Sequence, residues 1–117
     1  MDRQTLNKLG LMLQGLSYRI SEEMDYFISI KGDFKSGAKR FPLSAEPSGD
    51  MLDVRFEGRN DRVKPRDLSS LMVDYAQRYD SVYLECGFRG ETLIIEAGSG
   101  NVTMKTRQLE EDREDLF

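Results

Sequence analysis

The sequence predicts an α+β domain in which an antiparallel sheet of about five strands packs with two helices, in the order α-β-β-α-β-β-β. The strongest observation is the segment 81–107, where apolar and polar side chains alternate in three short runs separated by glycine-containing turns. Turns this short favour an antiparallel meander, because a parallel crossover needs about a dozen residues or more. Two other segments repeat apolar residues every three or four positions, which is typical of amphipathic helices.

Length and composition predict one domain followed by a tail. The chain has 117 residues, and we expect residues 1–109 to form the α+β domain and residues 110–117 to form an acidic tail. The only cysteine cannot form an internal disulfide, which favours a reducing compartment. No apolar run is long enough to span a membrane, and the first residues lack the pattern of a secretory signal. These features predict a cytoplasmic protein that does not bind membranes.

The first helix is predicted from residue 2 to about residue 19. Its apolar positions follow spacings of three and four: Leu6, Leu9, Leu13, Leu16 and Ile20. Gly10 and Gly15 each cost about 1 kcal/mol relative to alanine inside a helix, so we expect close packing or a break near them. The apolar stripe predicts packing on the sheet, and the alternative is a helix pair in a homodimer. Residues 21–31 fit either a continued helix or a strand.

The middle of the chain is the least regular. Residues 34–49 hold two prolines and two glycines, and we expect a long loop or a short edge segment there. Residues 51–57 alternate cleanly and predict a strand, whereas residues 58–64 predict a polar connection. Pro65 is expected to begin the second helix, which ends near residue 80.

This order of elements is similar, at the level of topology, to the α-β-β-α-β-β-β-α order of the roadblock regulatory domains. The similarity rests on element order alone, with no shared residue motif, and it implies nothing about function.

The residue types needed for common catalytic and metal sites are scarce. The absence of histidine removes the commonest general base and most zinc sites. Cys86 lies on the apolar side of a predicted strand, where we expect a core side chain rather than a reactive thiol. The glycine-rich stretches lack the spacing of phosphate loops. The sequence therefore predicts no catalytic residue, no metal site, no cofactor and no enzymatic activity.

Charge is unevenly distributed along the chain. Residues 31–66 hold nine Lys or Arg against six Asp or Glu, although the whole chain has a net charge of −4. A basic segment near aromatic residues can bind single-stranded nucleic acid. Under this alternative hypothesis the binding residues are Lys35, Lys39, Arg40, Arg59, Arg62, Lys64 and Arg66.

The tail is an acidic run closed by an apolar pair, Leu116 and Phe117. It is similar to the tails of bacterial and phage single-stranded-DNA-binding proteins, and that resemblance implies that acids steer a partner while the terminal phenylalanine inserts into it. The partner-binding residues of our first hypothesis are Glu110, Glu111, Asp112, Glu114, Asp115 and Phe117.

Together these features predict a small non-enzymatic protein-binding module, of the regulator, adaptor, inhibitor or immunity type. An acidic domain suits a basic protein partner, because complementary charge raises the association rate. The alternative is a nucleic-acid accessory protein whose tail recruits partners, and a homodimer is compatible with both.

Overall fold

Seven strands and two helices build the chain in a computed structural model that describes residues 1–108. The helices are α1 (Arg3–Glu22) and α2 (Leu68–Ala76), with a 3-10 turn at Pro65–Asp67 directly before α2. The strands are β1 (Phe27–Ser36), β2 (Lys39–Ser48), β3 (Met51–Phe56), β4 (Arg59–Val63), β5 (Ser81–Phe88), β6 (Glu91–Gly98) and β7 (Asn101–Gln108). None of the helices in this part of the chain is long and apolar enough to cross a membrane.

All seven strands lie in one antiparallel sheet with the order β4-β3-β2-β1-β5-β6-β7. The sheet consists of two meanders, β1–β4 and β5–β7, which meet where β1 pairs with β5. Every hairpin inside a meander is closed by a two-residue turn that contains a glycine at positive φ. The 3-10 turn and α2 connect the two meanders.

The helices cover one face of the sheet. The inward side chains of α1 are buried, among them Leu9, Leu13 and Ile20. Alternate residues of β1, β3, β5 and β6 complete this core. The stripe that the sequence analysis identified on α1 therefore packs on the sheet, and it is not available for the helix pair that was the alternative.

Local contacts fix both ends of α1. At its start, the Asp2 carboxylate accepts a hydrogen bond from the Thr5 backbone N–H at 2.7 Å, which caps the helix. Near its end, the Arg19 guanidinium pairs with Glu91 at 2.6 Å and lies 4.1 Å from the centre of the Phe88 ring. The helix ends at Glu22 and β1 begins at Phe27, so both readings of residues 21–31 were partly right.

The predicted α+β class and the antiparallel sheet with two helices are confirmed, but the number of strands was wrong. Residues 34–49 form the end of β1, a tight turn and the ten-residue strand β2, and residues 59–63 form β4. Four strands therefore precede α2, so the element order is not the one that resembled roadblock domains. The second helix is also shorter than predicted, since α2 ends at Ala76.

The two prolines of β2 fit an interior strand because its two neighbours are staggered. Pro42 pairs with Asp33 of β1 but lies beyond the β3 ladder, which begins at Leu43. Pro47 pairs with Leu52 of β3 but lies beyond the β1 ladder, which stops at Ala45. Each proline therefore has a paired strand on one side only, like a residue of an edge strand. In such a position the missing backbone N–H costs least.

Gly32, in the middle of β1, permits the two meanders to join. It pairs with Leu84 across the β1–β5 boundary. A Cβ atom at Gly32 would overlap the Tyr83 carbonyl oxygen and lie 2.9 Å from the Leu84 Cα. The close approach of β1 to β5 therefore requires a residue without a side chain at this position.

We expect Gly32→Ala to lower the free energy of unfolding by about 3 kcal/mol, because β1 and β5 must separate to admit the methyl group. Chemical denaturation followed by circular dichroism measures this change. The matched control is Gly87→Ala on β5, where the new Cβ would meet its nearest atoms at 3.8 Å, an ordinary contact. Equal effects of the two substitutions would contradict this account of Gly32.

Candidate functional site

The sheet face opposite the helices carries polar and charged side chains of both signs. Lys31 of β1 lies opposite Glu85 of β5, and the Arg40 guanidinium lies 3.8 Å from the Asp33 carboxylate. The Tyr83 hydroxyl donates a hydrogen bond to Glu85 at 2.6 Å. This hydrogen bond, together with burial, raises the pKa of Tyr83. Because positive and negative side chains alternate on this face, they pair with one another in water, and the face has no large patch of a single charge.

The seven basic residues of the nucleic-acid hypothesis do not form one surface. Lys35 and Arg40 are cross-strand neighbours at one end of the open face. Arg62 lies on edge strand β4, where it donates a hydrogen bond to the Ser48 carbonyl at 3.3 Å.

The other four point elsewhere or lie in turns. Arg59 lies opposite the buried Phe56, on the side of the sheet that the helices cover, and its guanidinium pairs with the Asp61 carboxylate at 3.2 Å. Lys39 opens β2 next to the β1–β2 turn, and Lys64 and Arg66 lie at the start of the connection to α2. The set is therefore spread along the fold.

The acidic tail of the first hypothesis lies outside the described residues. Its predicted partner-binding residues begin two positions after the end of β7.

An aromatic cluster links α2 to the β3–β4 hairpin, and sequence reasoning missed it. Tyr75 and Tyr79 stack with phenylalanines of the sheet: the ring of Phe56 lies 4.5 Å from that of Tyr75, and the ring of Phe34 lies 5.3 Å from that of Tyr79. Both hydroxyls donate hydrogen bonds outward, from Tyr75 to Asp61 at 2.9 Å and from Tyr79 to Glu57 at 3.0 Å. The sequence shows that the two tyrosines are four positions apart, but it does not show which carboxylates their hydroxyls contact.

The electrostatics of this cluster favour a structural role. Burial raises the pKa of Tyr75 from 10.0 to about 12, and the hydrogen bond to Asp61 acts in the same direction. Burial and the bond to Glu57 also raise the pKa of Tyr79. A phenol that holds its proton this tightly is a poor acid or base near neutral pH. The cluster instead fixes the position of α2.

These shifts predict a loss of stability at alkaline pH. The folded protein holds the Tyr75 proton more tightly than the unfolded chain, so this stabilisation is complete below pH 10 and is lost between pH 10 and about 12. We expect the melting temperature of Tyr75→Phe to fall less over this range than that of the wild type. Tyr18→Phe, which removes an exposed hydroxyl, is the control and should follow the wild-type curve. A Tyr75→Phe curve parallel to the wild type would contradict the role of this hydroxyl.

Cys86 is buried, as the sequence predicted. Its side chain is fully covered, and burial raises its pKa to about 12. Among residues 1–108, no group of three or more acidic or cysteine side chains lies close enough to hold a metal ion. The depressions that are open to solvent include a groove of about 570 Å³ between α1 and α2, and a polar hollow of about 360 Å³ on the open face, beside Asp33, Tyr83 and Glu96.

The most distinctive exposed surface lies where α1 passes into β1. Tyr26 and Ile28 are large apolar side chains that remain 53% and 51% exposed. The β1–β5 register shifts between Phe27 and Ser29, which places Ile28 in a bulge. Gly87 lies beneath it, since a Cβ at Gly87 would be 3.8 Å from the Ile28 Cβ.

Arg89 completes this surface. Its backbone N–H donates to the Tyr26 carbonyl at 2.9 Å, and its guanidinium carbon lies 5.9 Å from the centre of the Tyr26 ring. We name Tyr26, Ile28, Gly87 and Arg89 the bulge patch. These residues carry no distinctive signal in the sequence, because an exposed apolar residue at the start of a strand has the same pattern as a core residue.

Comparison with known proteins gives no relative from which a role could be transferred: no family model, curated protein or solved structure matches this chain.

Proposed function

We propose that this chain is a non-enzymatic protein-binding module, of the regulator, adaptor, inhibitor or immunity type, and that the bulge patch anchors its protein partner. The observation that carries the proposal is the exposure of Tyr26 and Ile28 beside a β-bulge that Arg89 holds in place. The acidic tail supports the proposal as a steering element for a basic partner, because complementary charge accelerates encounter.

The residue types of the bulge patch are those that dominate protein interfaces. Tyrosine and arginine are enriched among residues whose truncation costs most binding energy, and such residues lie in pockets that become dry on binding. Gly87 leaves room beside Ile28 for an inserted side chain. The cation–π contact and the backbone hydrogen bond already restrict the conformations of Tyr26 and Arg89 in the free protein. Less conformational entropy is therefore lost when a partner binds.

The test is capture of a protein partner from a lysate of the source organism, followed by measurement of its affinity. We expect Tyr26→Ser/Ile28→Ser to weaken binding by at least about tenfold, because truncation of two anchors removes apolar area buried with the partner. A chain that ends at Gln108 should bind with a slower association rate that depends less on salt.

The matched control is Met104→Ser on β7, which removes an apolar side chain that is 50% exposed, against 51% for Ile28, and that lies outside the bulge patch. We expect this control to bind the partner as the wild type does. Equal binding by the control and the double variant would show that the bulge patch is not the anchor.

The second candidate function is nucleic-acid binding, and the pairing of Lys35 with Arg40 across β1 and β2 is the observation that favours it. Because the remaining cations lie elsewhere, we expect only weak binding of single-stranded DNA or RNA in a fluorescence anisotropy salt series. Tight, salt-sensitive binding that Lys35→Glu/Arg40→Glu abolishes would instead establish the nucleic-acid function. Lys64→Glu/Arg66→Glu, which makes the same charge change outside the sheet, is the control.

A further inference from the structure

A second stripe of residues runs along α1 on the side that faces away from the sheet. Its members recur at spacings of four and three and are all exposed: Gln4, Lys8, Leu11, Gly15, Tyr18 and Glu22. We name this set the outer stripe. Leu11 and Tyr18 are 70% and 68% exposed, more than any other large apolar side chain in residues 1–108. Leu11 and Tyr18 are seven positions apart, so they lie on the same side of the helix and could both contact a second helix.

Gly15, at the middle of the outer stripe, has no explanation within the described chain. Gly10 faces α2, where a Cβ would meet the Val73 side chain at 3.6 Å, an ordinary contact. A Cβ at Gly15 would meet nothing within 4 Å. A glycine that weakens the helix and makes no room for its own chain indicates close approach by something else.

The groove between α1 and α2 lies beside the outer stripe. It has a volume of about 570 Å³, and Leu6, Gly10, Leu11 and Val73 provide its apolar lining. Leu11 belongs both to the groove and to the stripe, so the two form one continuous surface. The groove has room for an aromatic ring brought by a second helix.

We propose that a second copy of this chain covers this surface, with the two α1 helices antiparallel and a two-fold axis near Gly15. Antiparallel pairing about Gly15 places residues whose numbers add up to 30 at the same level. Tyr18 then lies within one residue of the level of Leu11, beside the groove of the other copy, and the same contact repeats by symmetry. The two copies of Gly15 meet at the axis, where the backbones approach closely.

Charge selects this direction of pairing. In the antiparallel pair, Lys8 of each copy lies level with Glu22 of the other. A parallel pair would place Lys8 beside Lys8 and Glu22 beside Glu22, which is repulsive. Because α1 has only 20 residues, the interface is small and we expect a reversible dimer. This inference does not depend on the proposed function, since the bulge patch is not part of the interface.

Sedimentation of the full chain between about 1 and about 200 μM, the range suited to a weak dimer, tests the proposal. We expect the wild type to dimerise as concentration rises and Gly15→Arg to remain a monomer. The melting temperature of Gly15→Arg should be no lower than that of the dilute wild type, since arginine favours a helix more than glycine and the site has open space. Loss of the dimer therefore cannot come from misfolding.

Charge exchange tests the direction of pairing. Lys8→Glu should weaken the dimer by about tenfold, because two symmetric pairs become repulsive. Lys8→Glu/Glu22→Lys should restore it, and Tyr26→Ser/Ile28→Ser, outside the interface, should leave it unchanged. A wild type that stays monomeric, a dimer that survives Gly15→Arg, or a double charge variant as weak as Lys8→Glu would each overturn the proposal.

Discussion

The pairing of β1 with β5 is the constraint on which the architecture depends. Each meander is built from neighbouring segments and tight turns, but only this pairing turns two small sheets into one sheet of seven strands. It brings Phe34 beside Val82 and Ile30 beside Cys86, so the core under α1 and α2 is continuous. This contact is possible because Gly32 has no side chain, so the joining of the two meanders depends on a glycine at this position.

The parts of the fold that the sequence predicted are those in which one local pattern decides the structure. Residues 81–107 alternate without interruption, and α1 carries an unbroken apolar stripe, so both were recognisable. The missed strands obey constraints that are not local. β2 contains two prolines that only the stagger of its neighbours makes acceptable, and β4 is a charged edge with almost no apolar pattern. A sequence shows neither which strands are neighbours nor which one lies at an edge.

The surfaces were harder to predict than the core, for a related reason. The basic residues of the middle segment are close in sequence but alternate between the two faces and two ends of the sheet, so a charge count overstated their proximity. The bulge patch depends on Arg89 reaching Tyr26 across the β1–β5 boundary. The outer stripe was overlooked because the stronger apolar stripe on the opposite side of the same helix accounted for α1. Exposure, which only the folded chain reveals, separates the two.

The tight turns of the two meanders also affect how the chain is made. On the ribosome, β1 to β4 emerge together and can close through their two-residue turns before any of β5 exists. Until β5 follows, the nascent meander presents β1, the future centre of the sheet, as an unpaired edge. Between the synthesis of β4 and that of β5, the free edge of β1 is therefore open to pairing with a strand of another chain.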